Sequence, residues 1–255
     1  MILSATVSGS GPDLLLIHGA SNDHTRWDPV LPYLGKHFTC FALDRRGRGN
    51  SSDGLAYHIN REIADTHGAI RTLADQGGPP VDVVGHSYGA ICALEAARGN
   101  PRLRRLILYE PPLPLGEPVP PPGVVRELEE LAAAGRKEDV VFAFMRKAVR
   151  MPEAEIKAAM AHPSWPNRVA AAHTIPRELA ALERDYRFDP ARFADWSVPT
   201  LVMMGGDSPK FLKDACETLA RTLKGAKLCT LQGQQHVAMM MAPELFSKEV
   251  LDFLA

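Results

Sequence analysis

Residues 81–94 read VDVVGHSYGAICAL, and this stretch decides the fold of the chain. The apolar run Val81–Val84 predicts a buried strand, and residues 90–94 predict the start of a helix. Between them lies a G-x-S-x-G pentapeptide, in which glycines on both sides of a serine let a strand and a helix meet at a sharp turn. We therefore expect Ser87 to be held on a strained turn, where a small molecule can reach its hydroxyl.

On both sides of this stretch, short apolar runs alternate with longer amphipathic segments. This alternation is typical of a parallel sheet with helical crossovers. Clusters of glycine and proline at residues 77–80 and 99–101 fall where two of the predicted helices have to end. The predicted segments, strands and helices together, are Leu14–Ile17, Trp27–Leu34, Phe38–Leu43, Tyr57–Gln76, Val81–Gly85, Tyr88–Arg98 and Leu103–Tyr109.

The pattern changes after residue 110. Prolines are dense between Pro111 and Pro122, and such a density prevents a regular strand or helix. From about Val124 to Tyr186 the spacing of apolar residues is helical, and strand and helix alternate again from Thr200. We predict an α/β core formed by residues 1–112 and 188–255, and an all-helical cap formed by residues 113–187, hereafter the cap segment.

Composition narrows the class of protein. A chain of 255 residues with 45% hydrophobic residues is long enough for one α/β domain with an insertion. Its 29 basic and 30 acidic residues nearly cancel, without a block of like charge, which argues against a nucleic-acid partner and favours a small-molecule substrate.

The cysteines and the amino terminus bear on the compartment. Cys40, Cys92, Cys216 and Cys229 are widely spaced and form no C-x-x-C pair, so we expect buried free thiols and no metal site. The pattern of a signal peptide is missing, as is an apolar run of about 20 residues that would span a bilayer. We expect a cytoplasmic protein.

A serine hydroxyl needs a base within hydrogen-bond reach and a third group that orients the base. Asp207 follows the apolar run at residues 201–204, where the carboxyl end of a parallel strand would place it near ligands. His236 follows another predicted strand, and the chain order Ser, Asp, His is that of the G-x-S-x-G enzymes. Taken alone, Asp207 also suits a simple turn or helix cap. Together, Ser87, His236 and Asp207 are the predicted triad.

Chemistry at a carbonyl also needs donors for the oxygen that becomes negative. The turn His18-Gly19-Ala20-Ser21 follows a predicted strand, and Tyr88 begins the helix after the serine, where backbone N–H groups have no partner within the helix. We predict that the amides of Ala20 and Tyr88 form the oxyanion hole.

With these motifs in place, the chain resembles the α/β-hydrolase fold superfamily, specifically its lid-containing members with a serine nucleophile. Further stretches that carry the likeness are His18-Gly19 with Trp27, the loop from Asp44 to Ser52, and Pro243-Glu244 near the carboxyl terminus. The arginines and glycines of that loop also suit phosphate binding, but in similar proteins the loop is structural. The resemblance implies a mostly parallel sheet flanked by helices on both faces. Only one short strand, such as residues 2–7, fits before Leu14.

The resemblance also implies a function. Ser87 would attack an ester, lactone or thioester to form an acyl-enzyme that water cleaves, with no cofactor and no metal. Some members of the superfamily take their acid from an earlier strand, so Glu110 is the alternative to Asp207. Carbon–carbon bond hydrolases, acyltransferases and cofactor-free haloperoxidases share the triad, and a ligand-binding protein without turnover is a further alternative. A serine at the elbow argues against haloalkane dehalogenase and epoxide hydrolase chemistry, in which an aspartate is the nucleophile.

The cap segment gives hints about the substrate. Several large apolar side chains there and beside His236 either line an apolar cavity or pack the cap segment on the core. They predict a small to medium apolar substrate. These side chains are Phe144, Met145, Met151, Met160, Trp165 and Met239–Met241.

Overall fold

The structure is a computed structural model that describes residues 2–54, 56–75, 80–116 and 118–255. The breakers expected at residues 77–80 lie mostly outside the described residues, and the preceding helix is described as far as Asp75.

Seven strands form one sheet in the order β1-β3-β2-β4-β5-β6-β7. All neighbouring pairs are parallel except β1 with β3, which is antiparallel. The single strand β1 before β2 agrees with the short amino-terminal strand that was expected. The strands are β1 Ser4–Gly9, β2 Asp13–Ile17, β3 Thr39–Asp44, β4 Val81–His86, β5 Leu103–Tyr109, β6 Thr200–Gly205 and β7 Lys227–Leu231.

Helices cover both faces of the sheet, which is why its central strands are buried over most of their length. Leu14 and Leu16 of β2 contact one hydrophobic cluster, and Leu15 and Ile17 contact the other, as the period of two in a strand requires. The expected α/β class, with a mostly parallel sheet flanked by helices on both faces, is thereby confirmed. The helices of the core are α1 Leu31–Leu34, α2 Ile59–Asp75, α3 Tyr88–Ala97, α9 Lys210–Thr222, α10 Ala238–Met241 and α11 Pro243–Leu254.

The regular elements of the cap segment are all helical, and none of its described residues is in a strand. A short 3₁₀ turn, Ala171–Thr174, and a π-helical turn, Phe144–Ala148, accompany its helices, and a further 3₁₀ turn, Pro190–Phe193, follows the segment. The boundaries at 113 and 187, and the status of this segment as a separate cap, stay a prediction. Its helices are α4 Val124–Ala133, α5 Lys137–Ala143, α6 Glu153–Ala161, α7 Trp165–Ala170 and α8 Ile175–Arg184.

A buried ionic cluster of Arg45, Arg48, Glu62 and Glu178 joins the cap segment to the core. Glu178 on α8 accepts hydrogen bonds from both arginines, and Arg45 also lies 2.9 Å from Glu62 on α2. All four side chains are at most 2% exposed. Because Arg45 and Arg48 are occupied by carboxylates, the contacts of the loop from Asp44 to Ser52 favour the structural interpretation over phosphate binding.

Two smaller expectations concern the cysteines and membrane spans. Cys40, Cys92 and Cys216 are buried free thiols, as expected, and Cys229 is a free thiol that is half-buried. Among the described residues, no helix has both the length and the apolar character needed to cross a membrane.

Candidate active site

Ser87 occupies the strained turn between β4 and α3. Its φ of 54° and ψ of −124° lie in a region that side chains other than glycine rarely adopt, and its N–H donates to the carbonyl of Tyr109 at 2.9 Å. The adjacent Gly89 is needed for packing, because a Cβ atom there would lie 2.3 Å from the carbonyl oxygen of His18. The elbow geometry expected from the pentapeptide is therefore present.

His236 is held by a carboxylate, and that carboxylate belongs to Glu110. The Nδ1 atom of His236 lies 2.6 Å from Oε2 of Glu110, and Oε1 accepts the N–H of Gly205 at 2.7 Å. Glu110 is fully buried and has a φ of 47°, a second left-handed residue at the carboxyl end of the sheet. An Nδ1–H donated to this carboxylate leaves Nε2 of His236 unprotonated, which is the tautomer of a general base.

The structure corrects the expectation that Asp207 orients His236. Asp207 lies beyond the end of β6, where its side chain is exposed and its N–H donates to the carbonyl of Gln234 at 3.0 Å. Glu110 has the better position because β5 is the direct neighbour of β4. In the parallel register His86 pairs with Tyr109, so the next residues, Ser87 and Glu110, follow at the same edge. The alternative weighed from the sequence thus replaces the first choice.

The two residues predicted for the oxyanion hole lie beside the nucleophile. Ala20 and Tyr88 line the same cavity as Ser87 and His236. Tyr88 is the first residue of α3, where backbone N–H groups lack partners within the helix. Gly19 allows the turn to come close, because a Cβ atom on it would lie 2.8 Å from Cβ of Ser87.

A second histidine supports the first. Nε2 of His86 lies 2.9 Å from the carbonyl oxygen of His236, so His86 donates there as a neutral ring. Burial, and then the nearby charge of His236, lower the pKa of His86 well below its usual value. His86 therefore fixes the loop of His236 without competing as a base.

Ser87 lies between two adjoining chambers. The first, the apolar chamber, has a volume of about 430 Å³ including its opening to solvent, and its lining among the described residues contains no aspartate, glutamate, lysine or arginine. The second, the arginine chamber, has a volume of about 300 Å³ and is lined on its polar side by Asn22, Arg26 and Arg168. Ala20, Phe144, Val149 and His236 line both chambers along with Ser87.

The large apolar side chains that were expected near the substrate divide into groups. Phe144, Met145 and Met151 line one or both chambers. Met240 and Met241 line an outer cavity of about 640 Å³, which borders the arginine chamber at Arg26 and Arg168. Met160 is 43% exposed.

Sequence reasoning missed the two arginines of the arginine chamber. Arg26 lies in the 3₁₀ turn His24–Trp27, and Arg168 lies on α7. The only signal in the sequence was an arginine beside apolar residues in each segment, a pattern that also describes a solvated surface position.

Comparisons with known proteins agree with this fold. Residues 14–249 match the alpha/beta hydrolase family. The chain is 27% identical to 2-(acetamidomethylene)succinate hydrolase of Mesorhizobium japonicum over 99% of this chain and 91% of that protein. It is 38% identical to N-formylmaleamate deformylase of Pseudomonas putida over 41% of this chain and 39% of that protein.

Among solved structures, an alpha/beta hydrolase from Sphaerobacter thermophilus superposes with a TM-score of 0.86. It is 35% identical in sequence, and the match covers 99% of this chain and 96% of that one. The family match, which extends over most of the chain, and this structural likeness show that the protein belongs to the alpha/beta hydrolase family.

Proposed function

We propose that the protein is a serine hydrolase that cleaves an acyl compound through a covalent acyl-enzyme. The observation that carries the proposal is the contact of 2.6 Å between Nδ1 of His236 and Glu110, beside a strained Ser87 in the same chambers. This contact sets the tautomer that a base requires, and the turn presents the hydroxyl that the base would activate.

Each step uses a residue at the site. Oγ of Ser87 attacks the carbonyl carbon while Nε2 of His236 takes its proton, and Glu110 stabilises the imidazolium that forms. The backbone N–H groups of Ala20 and Tyr88 donate to the oxyanion. His236 then returns the proton to the leaving group, and water activated by the same base cleaves the acyl-enzyme. The hydrogen bond from Ser87 to His236 forms in the substrate complex, where such contacts tighten.

Esters, lactones and thioesters are the substrates that a triad of this kind opens most readily, and the apolar chamber suits a small to medium apolar group. The names of two relatives favour a second class. One is a hydrolase of an acetamido compound and the other a deformylase of an N-formyl compound, so both names indicate an acyl group on nitrogen. Carbon–carbon cleavage, acyl transfer and haloperoxidation use the same triad and differ in their products.

The test compares turnover and covalent labelling. The purified protein is assayed with 4-nitrophenyl acetate, 4-nitrophenyl butyrate and N-formylaniline, and a fluorophosphonate probe is used to label the nucleophile. We expect ester turnover and one label on Ser87, and a loss of about 10⁶-fold in kcat for Ser87→Ala. Ser247→Ala is the matched control, because Ser247 is a buried serine on α11 outside both chambers. Turnover that survives in Ser87→Ala would refute the proposal.

A further inference from the structure

Five arginines are buried among the described residues, and two of them lack a carboxylate partner there. Arg45, Arg46 and Arg48 each form an ion pair with a buried or half-buried carboxylate. Arg26 and Arg168 are 4% and 8% exposed, and neither forms an ion pair with a described residue. A buried charge without a partner is costly, so these two positions need an explanation.

The hydrogen bonds of Arg26 and Arg168 are few. Arg26 donates from Nη2 to the side-chain oxygen of Asn22, while its Nε is buried and finds no acceptor in the described part of the chain. Arg168 has Nη1 at 3.9 Å from the sulfur of Met145, which is a weak acceptor. The two guanidinium groups therefore retain donors for a group that the protein itself does not supply.

Electrostatics indicates the sign of the missing group. Burial, and then the charge of Arg168, lower the pKa of Arg26 well below its usual range, and burial lowers the pKa of Arg168 to about 10. Asp23 opposes both changes, but its Oδ1 accepts the N–H of Thr25 at 3.0 Å and makes no ion pair with either arginine. Two cations that converge in one chamber favour an anion between them.

The position of the pair relative to the proposed nucleophile indicates what the anion belongs to. Both arginines line the arginine chamber together with Ser87 and His236. Arg26 is also linked to the oxyanion turn, because Asn22 donates to the carbonyl of Ala20 at 2.6 Å. Because both guanidinium groups line the same small chamber as Ser87, an anion held between them lies only a few atoms from the reacting carbonyl.

We propose that Arg26 and Arg168 form a carboxylate-binding subsite, so that the substrate is an acyl compound with a carboxylate a few atoms from the reacting carbonyl. Arginine suits this task because its planar fork matches the two oxygens of a carboxylate. The apolar chamber takes the other end of the substrate, across Ser87. This inference rests on the proposed hydrolase function for its catalytic part, and it replaces a wholly apolar substrate with one that has an anionic end.

The catalytic test compares monoethyl succinate with ethyl butyrate, in which a methyl group replaces the carboxylate, by following hydrolysis with proton NMR. The parent should prefer the succinate ester in kcat/KM. In Arg168→Met, the ratio of the two kcat/KM values should fall about 10- to 100-fold, the range for a hydrogen bond to a charged group. Arg126→Met is the matched control on the cap segment, because Arg126 is 83% exposed. A parent that prefers ethyl butyrate, or an unchanged ratio in folded Arg168→Met, overturns the subsite.

A binding measurement separates this inference from the hydrolase proposal. Calorimetric titration of Ser87→Ala with succinate should show saturable binding that succinamide does not, and adding Arg168→Met should abolish it. Succinate should also raise the melting temperature of the parent, a test that needs no variant of the arginines. If no ester or amide is hydrolysed but succinate binds through Arg168, the hydrolase proposal fails and the subsite stands. If succinate neither binds nor stabilises, the subsite is refuted even when esters are hydrolysed.

Discussion

Replacing Glu110 by glutamine is the sharpest test of how His236 is held. In Glu110→Gln the side-chain oxygen still accepts the N–H of Gly205, so the fold of the β6 end is preserved. The amide NH₂ then faces Nδ1 of His236 in place of the oxygen 2.6 Å away. Since an amide N–H can only donate, Nδ1 must accept, and the proton moves to Nε2. The imidazole then has the wrong tautomer to take a proton from Ser87.

The expected loss follows from that change of tautomer. An amide in place of a triad carboxylate lowers kcat by about 10⁴-fold, which corresponds to roughly 5 kcal/mol in the activation free energy. Asp207→Asn is the matched control, because it makes the same chemical change at an exposed position, where effects stay within about 0.5 kcal/mol. We expect its kcat to stay within about twofold of the parent.

The assay is steady-state hydrolysis of 4-nitrophenyl butyrate, combined with the rate of fluorophosphonate labelling of Ser87. Thermal unfolding of both variants shows whether each is folded. A folded Glu110→Gln with the kcat of the parent, or an Asp207→Asn that loses as much as Ser87→Ala, would refute the assignment of Glu110.

Three further variants test the scaffold by urea unfolding. Glu178→Gln should lower the free energy of unfolding by about 3–5 kcal/mol, because buried Arg48 loses its main carboxylate; a change below about 1 kcal/mol would contradict this. Gly89→Ala should lower the free energy of unfolding by about 1–3 kcal/mol, since its Cβ would meet the backbone oxygen of His18 at 2.3 Å. An unfolding midpoint in urea equal to that of the parent would contradict this. Burial lowers the pKa of His86 in the folded protein, so as the pH falls the unfolded chain takes up this proton before the folded one does. The free energy of unfolding should therefore decrease as the pH is lowered from about 6.5, by up to about 1.4 kcal/mol per pH unit. His86→Gln should reduce this slope, and an unchanged slope would contradict it.

The sequence predicts the fold well because its signals are local. One specific turn is identified by Gly85, Ser87 and Gly89, and the apolar strand before it shows that the turn lies at the carboxyl end of a strand. The carboxylate that contacts His236 is harder to predict, because both Glu110 and Asp207 follow apolar strands. Only the order of strands in the sheet decides which of the two reaches His236. The sequence signal for the acid was a glutamate, Glu110, directly after an apolar strand. Asp207 is followed by Ser208 and Pro209, a pattern that also suits a simple turn.

The arginine chamber could not be predicted from the sequence, for a different reason. Arg26 and Arg168 are far apart in the chain, and only the tertiary fold brings the turn His24–Trp27 and α7 to the same chamber. Charge in a sequence shows neither burial nor the absence of a partner. Both of these properties are needed to distinguish a ligand-binding arginine from one on a solvated surface.

The buried ionic cluster restricts how this protein can be recombined with its relatives. Arg45, Arg48 and Glu62 come from the core, and Glu178 comes from the cap segment. A chimera that received a foreign lid without an acidic side chain at the equivalent place would enclose two guanidinium groups with a single carboxylate. Lid exchange in this protein therefore has to transfer Glu178 or remove Arg48 at the same time, so the two parts of the chain are not freely interchangeable modules.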